Sequence, residues 1–220
     1  MTSVDQHSES AAARPATSPV PAAASQPAWG NAAPLGLTAF AVTTFILSMI
    51  NTHIINVGTE PVAFGVAFMY GGLAQLIAGV ICFRNGNTFT GVLFGTFGAF
   101  WLSLFAIAEF ELKSIPPAQV GHALGLFLYA FGIAAFMLFV ASFRTNAVVV
   151  ASIGVLTIAL FVLGAGNYSL GLGQATNGLI KFGGWLGLAA ALGAFYLALG
   201  EVCEFTYGRV ILPVVPLAKR

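Results

Sequence analysis

The chain has 220 residues, of which 58% are hydrophobic and 7% charged, with a formal net charge of +1 at pH 7. A water-soluble domain carries about 25% charged residues, so most of this surface must face an apolar solvent, and a lipid bilayer is that solvent. The near-zero net charge excludes the basic stripe that a nucleic-acid partner requires, and Cys82, Cys203, His7, His53 and His122 lie too far apart for a disulfide framework or a metal-ligand spacing.

Residues 1–30 come first and are rich in Ala, Ser, Pro and Thr. No apolar run follows a basic start, so this is not a signal peptide. The segment reads as a disordered tail with too little bulky apolar surface to offset the entropy of ordering.

From there, charges punctuate the chain. The stretches Arg14 to Glu60, Glu60 to Arg84, Arg84 to Glu109, Lys113 to Arg144, Arg144 to Lys181 and Lys181 to Glu201 hold no Asp, Glu, Lys or Arg between their ends. Each contains an apolar run of about 17 to 25 residues, the length that crosses a hydrocarbon core as a helix. Six spans are predicted near 34–53, 61–83, 88–109, 118–143, 147–166 and 180–203. The runs do not alternate polar with apolar as barrel strands do. The predicted fold is therefore an all-α integral membrane protein of six transmembrane helices with short loops, over residues 31–209, followed by a short tail at 210–220.

The first span opens with Asn31 as N-cap and Pro34 in the first turn. It carries Thr38, Thr43, Thr44 and Ser48; the second carries Tyr70 and Gln75, the third Thr96 and Ser103, and the fifth Thr157. Pairs of glycines four apart (Gly91 and Gly95, Gly121 and Gly125, Gly183 and Gly187) predict close helix contacts in the third, fourth and sixth. An even number of spans puts both termini on one side. Arg14, Arg84, Arg144, Arg209, Lys219 and Arg220 fall there, and only Lys113 and Lys181 fall opposite, so the termini are expected in the cytoplasm.

No Asp, Glu, Lys or Arg sits near the middle of any span. A proton pump or retinal protein needs one, and Lys181 lies only at the start of the sixth span. No nucleophile–base pair or metal set points to an enzyme, and no cofactor is implied. What remains is mild polarity. Thr and Ser hydroxyls in helices commonly bond their own carbonyls at i−4, whereas the Gln75 amide cannot be satisfied so locally. Free N–H groups at the start of the first span, with the helix dipole, suit an anion, although an ordinary capped helix is the plainer reading of that segment. Hydroxyl and amide groups can donate to a solute without trapping it as a fixed charge would. The residues alone therefore indicate a passage for some small solute.

Motifs narrow this. Asn31-Ala32-Ala33-Pro34-Leu35-Gly36-Leu37 matches the signature Asn-Pro-Ala-Pro-Leu-Gly-Leu except at Ala32. There follow, in order, Tyr70-Gly71-Gly72-Leu73-Ala74-Gln75, Gly86-Asn87-Thr88-Phe89, Phe100-Trp101-Leu102, Gly183-Gly184-Trp185-Leu186-Gly187-Leu188 and Tyr196-Leu197-Ala198-Leu199-Gly200-Glu201. Together, over about residues 31–215, they make the chain resemble the acetate uptake transporter family, which includes bacterial succinate–acetate permeases and fungal acetate and ammonia-export proteins. The resemblance implies a multi-pass protein of the plasma or inner membrane, assembled as a hexamer, with a passage in each protomer for acetate and related short carboxylates such as succinate. It also implies a hydrophobic constriction at the positions of Phe40, Phe97 and Leu156. Many relatives carry Tyr at the position of Phe97. Alanine at 32 is compatible with the same helix start. The expected pathway runs from Asn31 and Gly36 past Thr43, Thr44, Tyr70 and Gln75, and Glu201 is a candidate for a proton-carrying or loop-organising role. Proton coupling stays open, as do two other functions, passage of ammonia or another neutral solute and a non-transporting scaffold or sensor.

Overall fold

The computed structural model describes residues 29–174 and 177–217. The tail expected at 1–30 lies outside these residues except for its last two, and Arg14, Lys219 and Arg220 lie outside them as well. The described residues hold six helices long and apolar enough to cross a membrane. They are α1 (Ala33–Asn51), α2 (Val57–Arg84), α3 (Thr88–Ser114), α4 (Pro117–Ser142), α5 (Ala147–Gly171) and α6 (Asn177–Tyr207).

The first helix starts two residues after the expected cap. Ala32 occupies the cap position and has no side chain to offer, so Asn31 serves from one residue further back, its Oδ1 accepting from Ala33 N at 3.0 Å. At the other end, α1 stops at Asn51 rather than 53 because His53 takes a left-handed backbone conformation, φ 61°, which a helix cannot continue through.

The second and third helices are not uniform. In α2, Ala67–Ala74 widens into a π-helical stretch that holds the Tyr70-Gly71-Gly72 motif. Such bulges mark places where the ladder yields to tertiary contacts. Gly71 is one: a methyl group there would lie 2.7 Å from Thr43 Oγ1 of α1. The third helix runs past its expected end at 109 by a π turn (Ile107–Glu111) and a 3-10 turn (Leu112–Ser114).

The fifth helix also outruns its expected end at 166. Asn167 stays in the helix because its amide Nδ2 donates to Leu163 O at 2.9 Å. Its start is capped by Asn146, whose Oδ1 accepts from Val149 N at 2.9 Å. Replacing Asn146 with alanine is expected to cost about 1 kcal/mol, read as a fall of a few degrees in the melting temperature of detergent-solubilised protein.

In cross-section, α4 packs on α5, α5 on α6, α6 on α1, α1 on α2 and α2 on α3, while α3 and α4 meet only lightly. Aromatic rings bridge that light seam: Phe100 of α3 stacks on Phe127 of α4 at 5.2 Å and meets Phe131 edge-on at 5.1 Å. The outer surface is apolar, with Leu126, Ile133 and Met137 of α4 among many exposed side chains. A hydrocarbon phase or a neighbouring copy must cover it.

One end of the bundle gathers both ends of the described chain. Asn31 Nδ2 donates to Glu201 Oε2 at 2.8 Å, Asn85 Nδ2 donates to Gly30 O at 3.2 Å, and the Arg84 guanidinium lies over the Trp29 ring at 5.1 Å. The described part of the segment expected as a C-terminal tail, residues 210–217, folds back along this end. Tyr196 Oη donates to Pro213 O at 2.8 Å, Ala147 N to Val215 O at 3.0 Å, and Leu217 N to Thr145 O at 3.0 Å. We call this the terminal end and its opposite the far end.

Candidate functional site

A cavity of about 590 Å³ reaches into the bundle from the far end, where Asn51, His53 and Glu60 line it. A second, small cavity of about 50 Å³ lies on the terminal side, walled by Leu37, Phe94, Ser152 and Leu197 among others. Three residues face both: Phe40, Phe97 and Leu156. They come from α1, α3 and α5, which all run from the terminal end to the far end. Each is at most 8% exposed, and the Phe40 and Phe97 rings meet edge-to-face at 5.7 Å. The structure thus brings the three expected constriction residues together as the wall between two cavities.

The other expected residues divide. Thr44 lines the wide cavity and Gln75 the small one. Thr43, next to Thr44, lines neither: its hydroxyl donates to Ala39 O at 2.9 Å and its side chain packs against Gly71. Thr38 and Thr157 likewise bond Pro34 O and Ile153 O of their own helices. Gly36 lets the Phe94 ring of α3 lie directly across α1, so its part is close packing. Tyr70 sits half-buried on the π stretch and borders neither cavity. Asn31 and Glu201 are joined at the terminal end, away from both cavities.

Among the described residues, three buried side-chain polar atoms have no hydrogen-bond partner: Thr44 Oγ1, Gln75 Oε1 and Trp101 Nε1. A buried group left unpaired costs about 1–3 kcal/mol, and native structures rarely leave such groups without a reason. All three belong to residues that line a cavity next to the Phe40–Phe97–Leu156 wall. Thr44 and Gln75 are among the residues named for the expected pathway. Trp101 is not, although it lies one turn beyond Phe97 in the Phe100-Trp101-Leu102 motif.

Residues 14–219 match the GPR1/FUN34/yaaH family. The chain belongs to this family. The succinate-acetate/proton symporter SatP of Escherichia coli (strain K12) is a relative, 34% identical over 184 residues that cover 84% of this chain and 94% of that protein. Acetate permease A of Emericella nidulans is 34% identical over 197 residues, 84% of this chain and 66% of that one. A solved structure described as that of the bacterial acetate channel SatP superposes with a TM-score of 0.77 at 32% identity, covering 84% of this chain and 99% of that chain. The six-helix bundle is thus the fold that this member of the GPR1/FUN34/yaaH family shares with SatP.

Proposed function

We propose that this protein is a channel-like passage for acetate and related short carboxylates, succinate included. The observation that carries this reading is the apolar wall of Phe40, Phe97 and Leu156 standing between two cavities in a chain related to proteins named for acetate transport. A solute enters the wide cavity, passes the wall and leaves through the small cavity towards the terminal end, or travels the reverse path. A bare anion in such a constriction would be costly. Thr44 on one side and Gln75 on the other supply hydrogen bonds that replace part of its water. The ring selects by size: short acids part it and pass, and longer or bulkier ones are excluded. Asn31, held by Glu201, shapes the mouth at the terminal end, and Gly36 and Tyr70 keep α1, α2 and α3 closely packed around the path.

The passage works without a dedicated proton relay, since no Asp, Glu, Lys or Arg lies near the middle of any described span. The terminal end, with Arg84, Arg144 and Arg209, faces the cytoplasm, and Lys113 and Lys181 lie opposite. Six copies assemble in the plasma or inner membrane through the exposed apolar faces. The protein is not an enzyme.

Labelled acetate uptake into proteoliposomes tests this. Purified protein is expected to speed equilibration of acetate at fixed pH with no proton gradient imposed. Accumulation against an acetate gradient, seen only when protons flow inward, would overturn the channel reading in favour of symport. Absence of acetate flux under either condition would overturn the carboxylate reading.

A further inference from the structure

Two of the three unpartnered polar atoms lie on the same side of the wall. Thr44 follows Phe40 by four residues on α1, and Trp101 follows Phe97 by four on α3. Both helices run towards the far end, so each polar residue stands one turn, about 5.4 Å, beyond its ring partner on the wide-cavity side. Both residues line that cavity, and both are more than nine-tenths buried, Thr44 at 6% and Trp101 at 3% exposed. In the shut wall their polar atoms are covered, and Phe100 packs edge-on against Trp101 at 5.0 Å.

We infer that the Trp101 indole N–H and the Thr44 hydroxyl form a hydrogen-bond-donating subsite for a carboxylate on the wide-cavity face of the ring, and that Trp101 makes the passage selective for solutes that accept hydrogen bonds. The inference rests on the carboxylate reading above and names the residues that recognise the headgroup. An indole N–H donates and never accepts. Its complement is an oxygen with lone pairs, which a carboxylate supplies twice over. An ammonium or alkylammonium ion has only donors and gains nothing from the indole N–H. The two groups have no protein partner when the wall is shut, so a carboxylate that parts the rings meets donors with no competing bond to break. The apolar ring then measures the solute's tail while the two donors hold its head.

Trp101→Phe removes the N–H and keeps an aromatic ring, and Thr44→Val removes the hydroxyl at constant shape. In proteoliposomes each is expected to raise the half-saturating acetate concentration about tenfold, equivalent to about 1.4 kcal/mol. The melting temperature of Thr44→Val is expected to be unchanged or higher, because an unpartnered buried hydroxyl has been removed. A spectroscopic readout accompanies the kinetics. The chain has three tryptophans, so the indole N–H resonance missing from the spectrum of Trp101→Phe is assigned at once. Sodium acetate is expected to move that resonance downfield in the wild-type protein, and methylammonium chloride at the same concentration is not. Unchanged half-saturation in both variants, or a resonance that ignores acetate, overturns the subsite. A fall in maximal rate at unchanged half-saturation also overturns it, because it marks a packing role. If the wild-type vesicles carry no acetate, the carboxylate reading fails and the subsite with it. If the wild type carries acetate and the variants match it, only the subsite fails.

Discussion

Replacing Leu156 with alanine is expected to raise butyrate flux on the order of tenfold relative to acetate, and Phe40→Trp is expected to lower acetate flux by at least about tenfold, each change equivalent to roughly 1.4 kcal/mol in the barrier. The argument is geometric. Leu156 is the one aliphatic member of the wall, and its side chain faces Phe40 and Phe97 from α5. Cutting it to a methyl group removes one side of the aperture and leaves the other two in their edge-to-face contact at 5.7 Å. A buried leucine cut to alanine usually costs about 2–5 kcal/mol in stability. This site borders open space on both faces, so the low end of that range applies. The Phe40→Trp change works in the opposite sense, because the larger indole fills the same aperture. Flux measured over a series from formate to butyrate checks both. A scaffold or sensor would show no change in the series with either substitution, and an unshifted cut-off in Leu156→Ala would remove that residue from the wall.

Substituting Gly121 with valine is expected to abolish folded protein, seen as loss of the monodisperse peak in gel filtration and of protein in the membrane fraction. A Cβ at Gly121 of α4 would stand 2.5 Å from both Asn167 O and Gly171 N of α5, and these are backbone atoms that no rotamer change can move. The α4–α5 contact is among the most extensive in the bundle, and α4 meets α3 only lightly. Forcing α4 off α5 therefore leaves α4 with little to hold it. Without a hydrophobic driving force between helices in lipid, close backbone approach is the main source of their association. Gly95→Ala is the matched control, since a methyl group there meets nothing within 4 Å, and its yield is expected to equal that of the wild type.

Much of the architecture was legible because charge is so costly in hydrocarbon. Glu60, Arg84, Arg144 and Lys181 sit near helix ends, so the gaps between charges counted the spans. The helix ends were less legible where polar residues find local partners. Asn167 is hidden by its bond to Leu163 O, and α5 runs on past it to Gly171. Phe40 and Phe97 could be placed from motifs beside them, and Leu156 only by counting. Thr43 and Thr44 show the limit most clearly. They are adjacent and chemically identical, yet one bonds its own helix and packs on Gly71 while the other lines the wide cavity. Neighbours on a helix point about 100° apart, and α1 is apolar nearly all round, so no polar face in the sequence says which side looks inward. Trp101 was missed for a related reason. A tryptophan in an apolar span reads as packing, and only the absence of a partner for Nε1 sets it apart.

The three residues between the cavities come from α1, α3 and α5, so they are synthesised in that order. A nascent chain that has inserted its first four helices already carries Phe40 and Phe97 but not Leu156. It also lacks the β-bridge between Asn146 and Pro216, which joins the start of α5 to the last part of the described chain. If the wall selects as proposed, selectivity arrives late in biosynthesis. A chain stalled or cut in the loop before α5 would carry two sides of the wall, Phe40 and Phe97, without the third.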